Sequence, residues 1–396
     1  MMTPPRVFVD REEEVRRIIN WIRSFPLPQQ NIPRTRNILL IIGPKGVGKT
    51  TILKRIAYEE TIPNTYMVYV EFRGIYSDSY QLFIEMINQI MRELNEIGWR
   101  LHGLRDLGFK IVKAFISKYL GREFIEEMSW DIIIDKLRRY NPLTLFMDLI
   151  DILCEYSYKE NKRLVIIMDE FQVFIETISR KVRRDYFIKS FIQYLSKTQE
   201  WGSRTSRGYT IFIISTSDYT YYTNLMDYIV YHIWPLYIEE LDEQYACELL
   251  IKTLQGHGIW ISKEIANEVV REIGGNPSII LQLTQYIIVH DVEEITRDAI
   301  LGIIHSLIED LRRKYRSELS NEEKKVLRIA CQYLCHQNYI EYSKLIDIIS
   351  RSIGYSVDKA RNIVDELMRK NILYINRAGV RFQNRVVEKA LCIHIP

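Results

Sequence analysis

The chain has 396 residues, 54 of them basic and 51 acidic, so its formal charge of +3 is close to balance and does not by itself point to nucleic acid. A hydrophobic content of 47% can bury a sizeable interior, and the length suits two or three domains rather than one core. No apolar run approaches the ~18 to 20 residues that cross a bilayer, and Met1 to Arg6 lack the apolar stretch of a secretory signal, so a soluble cytoplasmic protein is expected. Five cysteines, Cys154, Cys247, Cys331, Cys335 and Cys392, are odd in number and widely spread, which argues against a disulfide framework. Cys331 and Cys335 share a helix face, but no second ligand pair stands at zinc-site spacing, so two small core residues are expected there.

In chain order, Val15, Ile18, Ile19 and Ile22 recur at helical spacing, with Asp10 and Glu13 placed to cap the helix start. Val9 and its neighbours either belong to this cover helix or touch a nucleotide base. Pro26, Pro28 and Pro33 mark a loop, and the apolar run Ile38 to Ile42 reads as a buried strand. It runs into Gly43-Pro44-Lys45-Gly46-Val47-Gly48-Lys49-Thr50-Thr51 and then the helix former Ile52 to Ala57. Strand, glycine loop and helix start are the arrangement a nucleotide phosphate requires, because backbone N–H groups and the helix N-terminus converge on its oxygens. Lys49 is placed to reach the β- and γ-phosphates and Thr50 to bind Mg²⁺ through its hydroxyl.

Thr65 to Phe72 is rich in β-branched and aromatic residues and reads as the second strand. Ser79 to Glu96 is helix-periodic, Gly98 to Tyr140 reads as a helical insertion, and Asn141-Pro142 opens a helix over Leu143 to Glu155. Leu164 to Met168 forms a strand buried on both faces, and Asp169-Glu170 appear where it leaves the sheet. At such a carboxyl end Asp169 suits Mg²⁺, through water, and Glu170 suits orienting or deprotonating the attacking water. The fourth strand, Thr210 to Ser215, ends in Thr216 and Ser217, one of which is placed to sense the γ-phosphate or position water. A fifth strand covers Ile233 to Ile238.

Glu239 to His290 reads as helical, with helix starts at Glu240 to Tyr245 and at Ser262, and with Gly274-Gly275-Asn276-Pro277-Ser278 before a third helix. Pro277 suits that helix's first turn, and the turn is placed to pack against the nucleotide. A linker helix carrying Arg312, Arg313, Lys314 and Arg316 leads to three helices, Asn321 to Tyr333, Tyr342 to Ile349 and Ser356 to Lys370. A hairpin over Asn371 to Phe382 follows, turning at Arg377 to Gly379. Three helices and a hairpin make a winged helix-turn-helix, whose third helix enters a major groove. Lys359, Arg361 and Arg369 on that helix, and Arg377, Arg381 and Arg385 on or near the wing, are the DNA-contact candidates. Asp358, Asp365 and Glu366 interrupt that positive surface, and such modules also bind proteins.

The whole resembles the archaeal ATPase family, a branch of the AAA+ and STAND-type P-loop ATPases. The likeness is carried by Phe8 to Glu14, Gly43 to Thr51, Met168-Asp169-Glu170-Phe171, Ser215 to Asp218 and Gly274 to Pro277. It implies an α/β P-loop fold with a parallel sheet in order 5-1-4-3-2, an α-helical lid, ATP with Mg²⁺, and a nucleotide-dependent rearrangement. The expected division is an ATPase core over 1–238 with a helical insertion at about 76–160, a lid and linker over 239–316, and a winged helix over 317–396. Ring-forming members place an arginine finger after the fourth strand, yet no Arg or Lys occurs between Tyr219 and Glu240, nor in the helix after Pro277. Arg180, Arg183, Arg184, Arg204 and Arg207 are the other candidates. Slow hydrolysis by a switch, controlling a winged-helix contact with duplex DNA, is therefore expected. The alternatives are an origin-recognition-like initiator with structural ATP, and a signalling scaffold that binds protein partners only.

Overall fold

The computed structural model describes residues 9–30, 36–72, 81–82, 84–90, 105–120, 130–179, 191–195, 209–217, 233–289, 296–337, 339–376 and 378–392. Its centre is a sheet of β1 (Ile38–Ile42), β2 (Thr65–Glu71), β3 (Arg163–Asp169), β4 (Thr210–Thr216) and β5 (Ile233–Tyr237). All neighbours are parallel and the order is β2-β3-β4-β1-β5, which is the expected 5-1-4-3-2 read from the other edge. The near-continuous apolar runs follow from burial on both faces. Strand parity then assigns each residue a side. Leu39, Ile41, Tyr69, Val165, Ile167, Ile211 and Ile213 pack with α1 (Glu12–Arg23) and α2 (Lys49–Tyr58). Leu40, Val68, Val70, Ile166, Phe212 and Ile214 face the opposite way, toward α3 (Arg105–Leu120), α4 (Trp130–Leu137), α5 (Pro142–Lys159) and α6 (Phe171–Ser179).

The insertion region thus contributes α3 and α4, while 98–104 and 121–129 lie outside the described residues. Asn141 caps α5 by accepting from the Leu143 and Thr144 N–H groups, as its sequence position suggested. The start of α1 differs from expectation. Its N-cap is Arg11, at φ 81, with no side-chain cap, so neither Asp10 nor Glu13 performs that role. Arg11 is turned inward instead, for a reason that belongs to the site below.

A second apolar cluster joins α7 (Glu243–Gln255), α8 (Lys263–Ile273), α9 (Pro277–Val289) and α10 (Arg297–Glu318). The first of these helices begins three residues later than the expected Glu240, and residues 239–241 before it lie outside any helix or strand and make contacts of their own. Beyond α10 come α11 (Asn321–Gln337), α12 (Tyr342–Ile353), α13 (Val357–Arg369) and the antiparallel pair β6 (Leu373–Ile375) and β7 (Val380–Phe382). Asn376 shapes the hairpin turn by accepting from the N–H groups of Ala378 and Gly379.

Two features were not foreseen. A final helix, α14 (Arg385–Cys392), returns to the second cluster through Val386 and Ala390. Cys331 on α11 is disulfide-bonded to Cys392 on α14, with Cα atoms 5.6 Å apart, which replaces the expectation of unbridged cysteines. The bridge spans 61 residues and depends on the return of α14, so local spacing carried no sign of it. Cys335, one turn beyond Cys331, is exposed rather than part of the core. Among the described residues no helix is long and apolar enough to cross a membrane.

Candidate nucleotide site

The loop after β1 turns back on itself through Gly46 (φ 87) and Gly48 (φ 98) before α2 starts at Lys49. Val47 is fully buried against α1 and α2, which anchors the loop's middle. Lys49 is buried, and its Nζ donates to the carbonyls of Gly43 at 2.8 Å and Pro44 at 2.9 Å. Burial draws its pKa down to about 8, while Glu170 and then Asp169 pull the other way. The ammonium is therefore held inside the loop by neutral carbonyls and faces two carboxylates. Thr50 is half-buried at the start of α2, and Thr51 and Lys45 are exposed.

Asp169 ends β3 with no exposed surface. Its Oδ2 accepts the Tyr69 hydroxyl at 2.8 Å, and its Oδ1 accepts the Ser215 hydroxyl and the Glu170 N–H. Burial and the neighbouring carboxylate push the Tyr69 phenol far above its ordinary value, which keeps it a donor. Glu170 stands at φ 56, and its carboxylate accepts from the Gln172 amide and, at 3.4 Å, from the Ser217 hydroxyl. The Gln172 amide also donates to Ser217 at 3.0 Å. Thr216 pairs with Ile42 in the β1–β4 register, on the face opposite to Ser215.

The turn before α9 sits on the phosphate loop. Asn276 Nδ2 donates to the Lys45 carbonyl at 3.1 Å, and the Ser278 N–H to the Gly46 carbonyl at 3.2 Å. A Cβ on Gly46 would lie 2.5 Å from the Ser278 Cβ, so the close approach requires glycine. Pro277 opens α9 within this contact. Val9 is buried in the cluster of α7 to α10 rather than in the sheet's core. Arg11 crosses the back of the loop: its Nη2 donates to the carbonyls of Val47 and Glu239, and its Nη1 pairs with Glu14 at 2.8 Å.

The remaining candidates lie elsewhere. Lys359 pairs with Glu322, Arg361 with Asp358 at 3.5 Å and Arg369 with Glu366. Arg381 points back toward the residues after β5, 3.8 Å from the Glu239 carboxylate and 3.5 Å from that of Glu240. Arg385 begins α14 and packs against Gly274. Arg377, and the finger candidates Arg180, Arg183, Arg184, Arg204 and Arg207, lie outside the described residues.

A parallel sheet with a lysine-bearing glycine loop at the carboxyl end of β1 and two acids at the carboxyl end of β3 is the frame of a P-loop nucleotide hydrolase. The profile of an ATPase domain predominantly from Archaea matches residues 8–283. The chain belongs to this family of archaeal ATPases. No curated protein matches the sequence. Among solved structures, the Walker-type ATPase PABY2304 of Pyrococcus abyssi is 13% identical, with 99% of each chain covered and a TM-score of 0.59. The ORC2 protein of Aeropyrum pernix in its ADP form is 15% identical, covering 100% of this chain and 96% of its own, with a TM-score of 0.49.

This archaeal ATPase is thus a P-loop ATPase that binds nucleotide. Sequence reasoning missed four residues around its loop and acids: Arg11, Tyr69, Gln172 and Ser215. Strand parity was the available signal for two of them, because Tyr69, Asp169 and Ser215 all carry odd numbers on strands whose odd residues face α1 and α2.

Proposed function

We propose that this archaeal ATPase is an ATP-binding and slowly hydrolysing switch whose nucleotide state controls a contact made by its C-terminal unit, with duplex DNA as the partner. One observation carries the reading: residues 238–241 touch the phosphate loop on one side and the C-terminal hairpin on the other. Arg11 bridges the Val47 and Glu239 carbonyls. The Glu239 carboxylate accepts from Asn376 at 3.2 Å, and the Glu239 and Glu240 carboxylates both face Arg381. A phosphate that draws Lys49 from the Gly43 and Pro44 carbonyls alters the same loop that the turn before α9 grips through Lys45 and Gly46. Lid and hairpin are then biased together.

In this reading Gly43 to Thr51 hold the phosphates, Val9 and Pro277 border the nucleotide, and Lys49 neutralises β- and γ-oxygens. Thr50 and Asp169 offer the oxygen donors that Mg²⁺ prefers, Asp169 through water because its own oxygens already accept three hydrogen bonds. The ion, when bound, would spread the charge of the β- and γ-phosphates. Glu170 takes or orients the attacking water, with Thr216 and Ser217 at the adjacent strand tip. With no basic residue between Tyr219 and Glu240, turnover by the isolated chain is slow. The core is assigned to 1–238, the lid to 239–316, and 317–396 to a winged helix with α13 as the groove helix. A second reading, a scaffold that binds proteins only, is favoured by the carboxylates paired with Lys359, Arg361 and Arg369.

The test is steady-state ATP hydrolysis by wild type and Glu170→Gln, with and without mixed-sequence duplex, alongside nucleotide affinity and the salt dependence of DNA binding. The switch reading expects Glu170→Gln to bind ATP normally and lose turnover, DNA to change the wild-type rate, and DNA affinity to fall steeply with salt. Nucleotide binding without hydrolysis by either protein overturns the enzyme reading. Hydrolysis indifferent to DNA at every salt concentration turns the partner into protein.

A further inference from the structure

The two acids at the end of β3 are held by separate sets of donors, and the set around Glu170 has no counterpart in the function proposed so far. Asp169 is served by Tyr69, Ser215 and a backbone N–H, all belonging to the sheet's carboxyl edge. That N–H is Glu170's own, and only the Glu170 carboxylate stands outside the set. The residue's left-handed backbone, φ 56, directs the chain from β3 into α6, a conformation that side-chain-bearing residues seldom adopt. Gln172, two residues on, is buried, and its Nε2 supplies both available hydrogens to this neighbourhood: one to Glu170 Oε2 and one to Ser217 Oγ. The Ser217 hydroxyl donates in turn to the same Glu170 oxygen, which closes a triangle of three side chains. The carboxylate is thereby held through Oε2.

We propose that Gln172 is a positioning residue for ATP hydrolysis, holding the Glu170 carboxylate toward the phosphate loop with the help of Ser217. The geometry supplies the reason for each part. A glutamate side chain has three rotatable bonds and, at the tip of a strand, would sample several orientations in water. A donor fixed in the first turn of α6 and another at the tip of β4 restrict it to one. The triangle stands at the carboxyl ends of β3 and β4, and β4 is paired with β1, whose carboxyl end runs into the phosphate loop. Hydrogen bonds to a charged acceptor are about twice as strong as neutral ones, so the pair suffices to keep that orientation populated. Ser217 therefore acts through Glu170, and Ser215, two residues earlier, acts through Asp169.

The inference rests on Glu170 acting on the attacking water, as proposed above, and the experiment separates the two. Gln172→Met keeps the length and shape of the side chain and removes both N–H donors, and Ser217→Ala removes the second donor with a smaller change. Each variant is compared with wild type for kcat, for KM for ATP, for affinity toward a fluorescent ATP analogue, and for thermal midpoint. A misdirected catalytic group costs up to ~10²-fold. Gln172→Met is expected to lose about tenfold or more in kcat, and Ser217→Ala severalfold, with KM and analogue affinity within about twofold of wild type. Gln172→Asn, whose amide is one methylene short, is expected to lie between wild type and Gln172→Met. A merely structural role would move affinity or thermal midpoint instead. Wild-type kcat in both Gln172→Met and Ser217→Ala, with ATP still hydrolysed, overturns the positioning role and leaves the ATPase reading standing. Loss of nucleotide affinity in proportion to kcat overturns it as well. Absence of turnover in wild type removes the ATPase reading and this inference with it.

Discussion

Lys49 is the residue on which the site's free energy balance is easiest to state. Its ammonium is buried and donates to the Gly43 and Pro44 carbonyls, and burial has already lowered its pKa to about 8. A charge so placed costs the empty protein stability and gains its return when phosphate oxygens arrive. Lys49→Met keeps the stem and deletes the charge. The thermal midpoint of the nucleotide-free variant is expected to equal or exceed that of wild type, while the upward shift that ATP gives wild type disappears. Melting curves with and without ATP check both halves. A lower midpoint in the nucleotide-free variant would show that Lys49 supports the loop's fold rather than waiting for a ligand.

At the scale of elements, the turn before α9 docks by near-contact of backbones. A Cβ on Gly275 would lie 1.9 Å from the Leu241 carbonyl oxygen, and the Leu241 N–H donates to the Gly275 carbonyl at 2.9 Å. Gly275→Ala must therefore push the turn away from residues 239–241, at a cost of about 1–3 kcal/mol from overpacking. The expected outcome is a lower thermal midpoint together with weaker nucleotide binding, because the same turn holds the Lys45 and Gly46 carbonyls. Unchanged ATP affinity in a folded Gly275→Ala protein would mean that this turn and the phosphate loop are independent. Most of these elements were legible in the sequence because their signals are local. The five core strands are short apolar runs, and the glycine loop stands between a run and a helix former. What escaped depends on partners far apart in the chain. Arg11 reads as one charge in an acidic helix start, yet it reaches Val47 and Glu239 across 36 and 228 residues. Tyr69 finds Asp169 across 100 residues, and Cys331 finds Cys392 only because α14 folds back. Gln172 is a different case, since it sits beside Glu170 in sequence, and only the α6 start shows that its amide turns toward the carboxylate.

At the scale of the whole molecule, Glu240 reports on the junction between the phosphate loop, the turn before α9 and the hairpin. Burial raises its carboxyl pKa to about 7 from an ordinary 4.5; Arg381 opposes that shift, and Glu239 and Glu388 add to it. The sign follows from proton counts. Between about pH 4.5 and 7 the folded state retains a proton that the unfolded chain has released, so the Glu240 contribution is fully present below pH 4.5 and is lost as pH rises through 7. Glu240→Gln removes this dependence. The thermal midpoint of the variant, measured against wild type, is expected to climb between pH 4.5 and 7 and to level off above. Parallel curves for the two proteins would mean that Glu240 is hydrated and the junction open. The same pair of curves taken with saturating ATP then tests the switch itself. If nucleotide releases Arg381 and the hairpin from residues 239–240, Glu240 regains water, its carboxyl returns toward the ordinary value, and the difference between variant and wild type flattens. If the difference persists with nucleotide bound, the junction is a fixed brace, and a signal from the phosphate loop to the C-terminal unit has to travel through the turn before α9 instead.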